Sequence, residues 1–523
     1  MASHQIVLDS YAAPNVTVEG FGLSHADLNR TVVQALDLCQ VRDILNGTRH
    51  RLLSSELRTE VLGCAKATDE RYRATIYDYT QGRTIFVDGS PFDPTFVSVT
   101  EANIQPIPSQ EELREAGEIA GIRSDEIVSG SMPPYISRDF ANGTSHRILK
   151  LAITSATSSR IVYVNMNNGT VEENPEPSEN ILACSAPQRR SHPIGPGVQG
   201  MANLQISQAG KILWTFQATR PSASSGTRGS GVELRNVKFR GKTVLYQAHV
   251  PILNVEYEQA VTGCGPHYRD WQYAELPLQC QGRDLATGFR LCSSPAKTIL
   301  DPPQVDGGDF VGVAVYVDGL EVVLKSQMEA GWYRYISEWR FHVDGTLRPR
   351  FGFGGLLEGS NCVCQVHHHH AYWRLDFDIV TAGNNVVREF NKPPIIGNSN
   401  YHDKSYEIRR PKDSSHERHW EVSNLRTSDT YSLTPGPNDG ASDAFGVGDL
   451  WALRYHPNEL DDGVAITAGT ADATRANIDK FLNGEPIVDK DVVIWYGAHF
   501  KHDQNHEGEG SHIVGPTIKP LRW

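Results

Sequence analysis

The spacing of hydrophobic positions changes twice within the first 200 residues. In "SHADLNRTVVQALDLCQVRDIL" (24–45) apolar side chains recur at helical intervals, which predicts one helix capped by Ser24. "RYRATIYDYT" (71–80) and "GRTIFVDGS" (82–90) then read as extended segments. A second helix starts in "PSQEELREAGEIAG" (108–121), where Ser109 and Glu112 have the spacing of a capping box. Strands return in "RILKLAITS" (147–155) and "SRIVYVNMNNGTVEE" (159–173). A helix followed by strands, twice over, predicts two small α/β domains, residues 1–105 and 106–190. The Pro, Gly and basic residues of "APQRRSHPIGPGVQG" (186–200) mark the linker that follows.

After residue 200 the pattern becomes short alternating strands. "KILWTFQATR", "GVELRNVKFRGKTVLYQAHVPILNVEY", "DFVGVAVYVDGLEVVLKSQ" and "EWRFHVDGTLRPRFGFGG" are such stretches, two of them broken by Asp-Gly hairpin signals. Residues 191–523 are therefore expected to form one large antiparallel β-sandwich. The fold class is mainly β, with an α+β N-terminal part.

Composition agrees with many turns: 46 Gly and 29 Pro in 523 residues. A formal charge of -13 and the lack of a long Lys/Arg block argue against nucleic acid or an anionic membrane as the main partner. No apolar run approaches the roughly 20 residues that span a bilayer. "MASHQIVLDSYAAP" lacks the basic start and apolar run of a signal peptide, so an intracellular protein is expected as written. Asn-Gly-Thr sequons at Asn46, Asn142 and Asn168 keep secretion open. The eight cysteines form no paired Cys-x-x-Cys set; Cys280 and Cys292 could close a small loop, and Cys362 and Cys364 read as buried thiols.

The chemistry concentrates in "HHHHAYWRLDFDI" (367–379). On a strand, His367, His369, Ala371, Trp373, Leu375, Phe377 and Ile379 share one face, and this apolar face should be the buried one. His368, His370, Tyr372, Arg374, Asp376 and Asp378 share the other. Two imidazoles two residues apart on one face can reach a single Cu, Zn, Fe or Ni ion. A third ligand has to come from elsewhere. "DVVIWYGAHFKHDQNHEGEGSH" (491–512) offers His499, His502, His506 and His512, among which periodicity does not choose.

These stretches resemble the copper amine oxidases, whose catalytic domain has a His-x-His just before an aromatic strand ending in Leu-Asp-Phe-Asp-Ile. The resemblance implies that His367 and His369 are copper ligands. The family's third histidine lies seven residues after the Trp of a Val-Val-Trp strand, which here points to His502. "AGWYRYISEWRFHVDGTLRPRF" is similar to the segment whose tyrosine becomes topaquinone, making Tyr333 the cofactor position. "GKTVLYQAHVPILNVEYEQ" is similar to the strand pair leading to a conserved active-site tyrosine, here Tyr257. "HYRDWQYAE" stands where the family has its catalytic aspartate, making Asp270 the candidate base. Asp376, Asp378 and Asp491 match a peripheral calcium or manganese site, for which hard carboxylate oxygens are suited. A homodimer acting on a small-molecule amine and O2 is implied as well.

The sequence departs from the family at identifiable places. Trp332-Tyr333-Arg334 stands where the family has Asn-Tyr-Asp or Asn-Tyr-Glu, and Asp270-Trp271-Gln272-Tyr273 lacks its Asp-x-Gly-Glu pattern. His370 is an additional imidazole. Three readings follow: a topaquinone-dependent oxidase of primary amines; a copper oxidase on the same scaffold working without topaquinone on a non-amine substrate; and a non-catalytic copper-binding relative.

Overall fold

The computed structural model describes residues 12–62, 66–139, 144–155, 159–172, 200–220, 231–258, 264–270, 274–356, 362–464, 466–502 and 513–523. The linker up to 199, the Asn142 sequon, Trp271 to Tyr273, and His506 and His512 lie outside the described residues.

Strands His50–Leu62, Ala67–Asp78, Arg83–Ser90 and Asp93–Ala102 form one small antiparallel sheet, and Ile127–Asp139, Thr144–Thr154, Ser159–Asn165 and Thr170–Glu172 form a second. The single helix expected over 24–45 is two, His25–Leu36 and Cys39–Leu45. Ser24 caps the first by accepting from the Asp27 amide. Leu28, Val32 and Ala35 follow one helical stripe onto the sheet, but the next buried residues are Val41 and Leu45, out of phase with it. The step at Asp37-Leu38 brings both stripes onto the same core. The second helix, Gln110–Ile119, makes half of its capping box. Ser109 Oγ accepts from the Glu112 amide at 3.1 Å, but the Glu112 carboxylate does not return the contact. It instead accepts from Arg147 Nε and Nη2 at 2.6 and 2.7 Å and from the Tyr79 hydroxyl at 2.6 Å, all in the interior.

The remaining strands build two large sheets packed face to face. Asn15–Phe21 joins one of them, paired with Met201–Gln208. That sheet continues through Lys211–Thr219, Glu233–Phe239 and Lys242–Tyr257 to His367–Phe377, Val492–His502 and Leu450–Arg454. The facing sheet contains Glu321–Ala330, Tyr333–His342 and Leu347–Gly355. Both Asp-Gly pairs turn hairpins as expected, with Gly319 and Gly345 at φ +60° and +97°. Aromatic rings interlock between the sheets: Phe216 stacks on Phe341 at 4.1 Å, and Phe353 on Phe500 at 5.9 Å.

The histidine strand is buried on both faces, not one. Arg374 and Asp376 are completely covered, and Tyr372 packs with Trp451, Leu453, Phe481 and Trp495 beneath the chain that runs from 447 to 495. Arg374 Nε donates to the Glu459 carbonyl at 2.8 Å and Nη1 to Gln247 Oε1 at 3.1 Å, so the covered cation has oxygen partners. The cysteines also differ from the thiol reading. Cys362 lies in a 3₁₀ turn and is bridged to Cys264, Cys364 is disulfide-bonded too, and Cys280 closes its loop with Cys292.

Glu112→Ala would leave the fully buried Arg147 guanidinium without its carboxylate. A loss of about 3–5 kcal/mol in the stability of that domain is expected, read as a lowered denaturation midpoint.

Candidate active site

Register assembles the site. His367 stands opposite His502 on one neighbouring strand and opposite Tyr257 on the other. His369, two residues on, points to the same side as His367, into the space between the sheets. Ligand atoms of His367, His369 and His502 all lie within 4.8 Å of one another, and all three side chains are buried. His367 Nε2 and His502 Nδ1 are 2.9 Å apart, a separation suited to two ligands sharing one ion.

Neighbouring groups orient these rings. His367 Nδ1 donates to the Gln365 carbonyl at 2.6 Å, which leaves Nε2 as its lone-pair nitrogen. Tyr335 donates its one hydroxyl proton to Asp270 Oδ2 at 2.5 Å, and His369 Nδ1 is 3.5 Å from the same hydroxyl. His369 Nδ1 is thus the side that faces a hydroxyl acceptor, which makes Nε2 the nitrogen that would meet an ion. His370 and His499 take no part: they meet each other through Nδ1 atoms 2.9 Å apart on the opposite face. Burial holds both below the ordinary imidazole range, and Asp449 acts against it at His499. His368 also turns to that face, beside Glu256 and Asp443.

Tyr333 comes from the facing sheet. Its ring lies 4.7 Å from that of His369 and 5.2 Å from that of His367, and its hydroxyl makes a short hydrogen bond with Tyr257. Trp332, the unexpected neighbour, donates Nε1 to the Tyr257 hydroxyl at 2.9 Å. Arg334 points to the other face of its strand, where its guanidinium pairs with Asp306 at 3.2 and 3.3 Å and also holds the Gly331 and Tyr333 carbonyls. The two bulky departures from the family pattern therefore each have a defined place. Burial raises the pKa of Tyr257, Tyr333 and Tyr335 well above the usual phenol value, so all three are neutral donors at neutral pH. Asp270 is anchored by its own amide, which donates to the Leu253 carbonyl at 2.9 Å. Burial pushes its carboxyl up to about 7, with the Tyr335 hydrogen bond opposing.

Asp376, Asp378 and Asp491 also converge, at the far end of the same two strands. Lys66 stands among them, with Nζ 2.7 Å from Asp376, 2.7 Å from Asp378 and 3.1 Å from Asp491. Burial acts against its charge, but the three carboxylates outweigh it and raise its pKa. Burial and the charge of Asp376 push Asp378 up to about 8 and Asp491 up to about 6.

Sequence reasoning missed Tyr335, Lys66 and the Cys264–Cys362 bridge. Tyr335 was legible, since i+2 spacing puts it on the face of Tyr333. Lys66 carries no local signal.

Three buried histidines, three tyrosines and an aspartate are thus gathered between the sheets of the sandwich, and the three imidazoles are a set that could hold a metal ion. Residues 311–508 match the family model described as copper amine oxidase, enzyme domain. A copper-containing amine oxidase gamma 2 of Arabidopsis thaliana is 24% identical over an alignment covering 36% of each chain, so the match spans about a third of that relative. Among solved structures, Pichia pastoris lysyl oxidase superposes with a TM-score of 0.59 at 11% identity, over 98% of this chain and 92% of that one. A copper-containing benzylamine oxidase from Hansenula polymorpha gives 0.54 at 10% identity over 97% and 93%, and Aspergillus nidulans amine oxidase 0.56 at 12% over 98% and 89%. Residues 311–508 are thus similar to the enzyme domain of the copper amine oxidases, and the overall fold is shared with the solved amine oxidases.

The geometry predicts that His367→Ala, His369→Ala and His502→Ala each strip bound copper, whereas His368→Ala retains it. Copper content per chain after loading and desalting checks this, and equal loss from all four would refute it.

Proposed function

We propose that this protein oxidatively deaminates a primary amine to an aldehyde, with release of ammonia and hydrogen peroxide. In this reading copper is held by His367, His369 and His502, and topaquinone derives from Tyr333. The carrying observation is the position of Tyr333, whose ring lies against two of the three histidines and whose hydroxyl is held by Tyr257. Three buried imidazoles with two lone-pair nitrogens already oriented are a donor set that suits copper. When bound, copper supplies redox chemistry with O2, and the quinone a carbonyl electrophilic toward amines. Two of the structural relatives, a lysyl oxidase and a benzylamine oxidase, support an amine as substrate.

The chain's own residues have separable tasks. Tyr257, itself fixed by Trp332, holds the oxygen of Tyr333 and limits how that ring can turn. Asp270 serves as the base that takes a proton from the carbon bearing the amine nitrogen, a role favoured by a carboxyl poised near neutrality. Tyr335 stabilises the charged form of Asp270 and connects it to His369. Burial of Tyr257, Tyr333, Tyr335 and Asp270 keeps bulk water from the proton being moved. Lys150 of the second small sheet lies over the Trp332 ring at 5.2 Å, so that sheet forms part of the surroundings. A homodimer belongs to the same reading. No helix among the described residues is long and apolar enough to cross a membrane, and the disulfides favour an oxidising compartment.

Aerobic copper loading followed by phenylhydrazine should produce a new visible absorption band that Tyr333→Phe abolishes. Absence of the band from the copper-loaded wild type would exclude the quinone reading in favour of an oxidase without topaquinone.

Because the base must be deprotonated, kcat/KM should fall as the pH drops through about 7. Asp270→Asn should cost about 10²–10⁴-fold in turnover. Tyr335→Phe removes a bond that favours the carboxylate, so the limb should move to higher pH, with activity recovering in alkaline buffer.

A further inference from the structure

The cluster of Asp376, Asp378 and Asp491 is where the family resemblance implies a calcium or manganese ion, and the residues present do not fit one. A calcium ion takes six to eight oxygen ligands, and an ion equidistant from these carboxylates would have to share its position with the Lys66 ammonium. An ammonium has three N–H donors, and here there are three carboxylates, each with one oxygen within 3.1 Å of Nζ. The match in number is complete.

The surroundings are built for a lysine. The ring centres of Tyr246 and Tyr455 lie 4.7 and 4.3 Å from Nζ, on the scale of cation–π contacts. The Tyr246 hydroxyl donates to the Lys66 carbonyl at 3.0 Å and so fixes the backbone as well as the side chain. Lys66 has φ +51°, a left-handed conformation in which glycine is comfortable and a side chain costs energy. A residue held there despite that cost points to a requirement for the side chain.

We propose that Lys66 is the resident cation of this cluster, a covalently attached substitute for a divalent ion. It immediately precedes the strand Ala67–Asp78 of the first small sheet, whereas the aspartates terminate the two strands that carry His367, His369 and His502 at their other ends. The lysine thus ties the first small sheet to the strands of the histidine site, and cation supply does not control that connection.

Mn²⁺ titration of the copper-loaded full chain, followed by electron paramagnetic resonance, tests this together with metal analysis after dialysis against Ca²⁺. The wild type should take up no Mn²⁺ or Ca²⁺ at the cluster, and neither ion should move its thermal midpoint. Lys66→Ala should gain one divalent ion per chain, with a midpoint raised by Mn²⁺ or Ca²⁺, and Asp491→Asn added to it should remove that gain. Wild-type binding of one Mn²⁺ or Ca²⁺ per chain that Asp491→Asn abolishes would overturn the proposal. So would a folded Lys66→Ala protein that gains neither ion. If Lys66→Ala is recovered only when Ca²⁺ or Mn²⁺ is present during expression, the substitution of one cation by the other is supported, and the wild-type titration decides independently.

Discussion

The antiparallel register between His367–Phe377 and Val492–His502 is the constraint on which the rest depends. Pairing His367 with His502 at one end places Asp376 opposite Val493 at the other, so one set of backbone hydrogen bonds assembles both the histidine trio and the aspartate cluster. A slip by one residue would exchange His367 and His369 for His368 and His370 on the inner face. Tyr257 is fixed by the same logic through its pairing with His367 on the other side. The facing sheet then contributes Tyr333 and Tyr335, and the distance between stacked sheets is what brings phenol rings and imidazoles into contact.

Such a site needs many polar groups in a dry interior, and the surrounding structure pairs them. Arg334 meets Asp306, Arg269 makes a two-pronged contact with Asp462 at 2.7 and 2.8 Å, and Lys66 meets three aspartates. Each of these charges would be costly to bury alone, so the pairs constrain where strands and loops can lie. The Cys264–Cys362 bridge adds a covalent constraint between the loop before Asp270 and the turn before the histidine strand. Asp270 and the histidines of the buried trio are thereby held by neighbouring pieces of backbone.

Much of this could be read from local pattern. Alternation put His367 and His369 on the inner face and His368 on the other, and the Asp-Gly pairs turned the expected hairpins. Alternation misjudged Arg374 and Asp376. Their polarity suggested a solvent-facing side, but the chain from 447 to 495 folds over it, and charge pairing compensates for the burial. Ser109 met its helix cap role, while Glu112 was drawn away by a buried arginine 35 residues along the chain.

The sequence by itself determined the period of each strand, and therefore which residues share a face, because the pleat allows no other arrangement of neighbouring side chains. It also carried the stretches around His367, Tyr333 and Asp376 that resemble copper amine oxidase motifs. Tertiary structure alone decided which partners those faces meet: Tyr335 with Asp270, Trp332 with Tyr257, Arg334 with Asp306 and Lys66 with the aspartates. These pairs join residues from 28 to 425 positions apart, and contacts between separate elements leave no periodic trace in either segment.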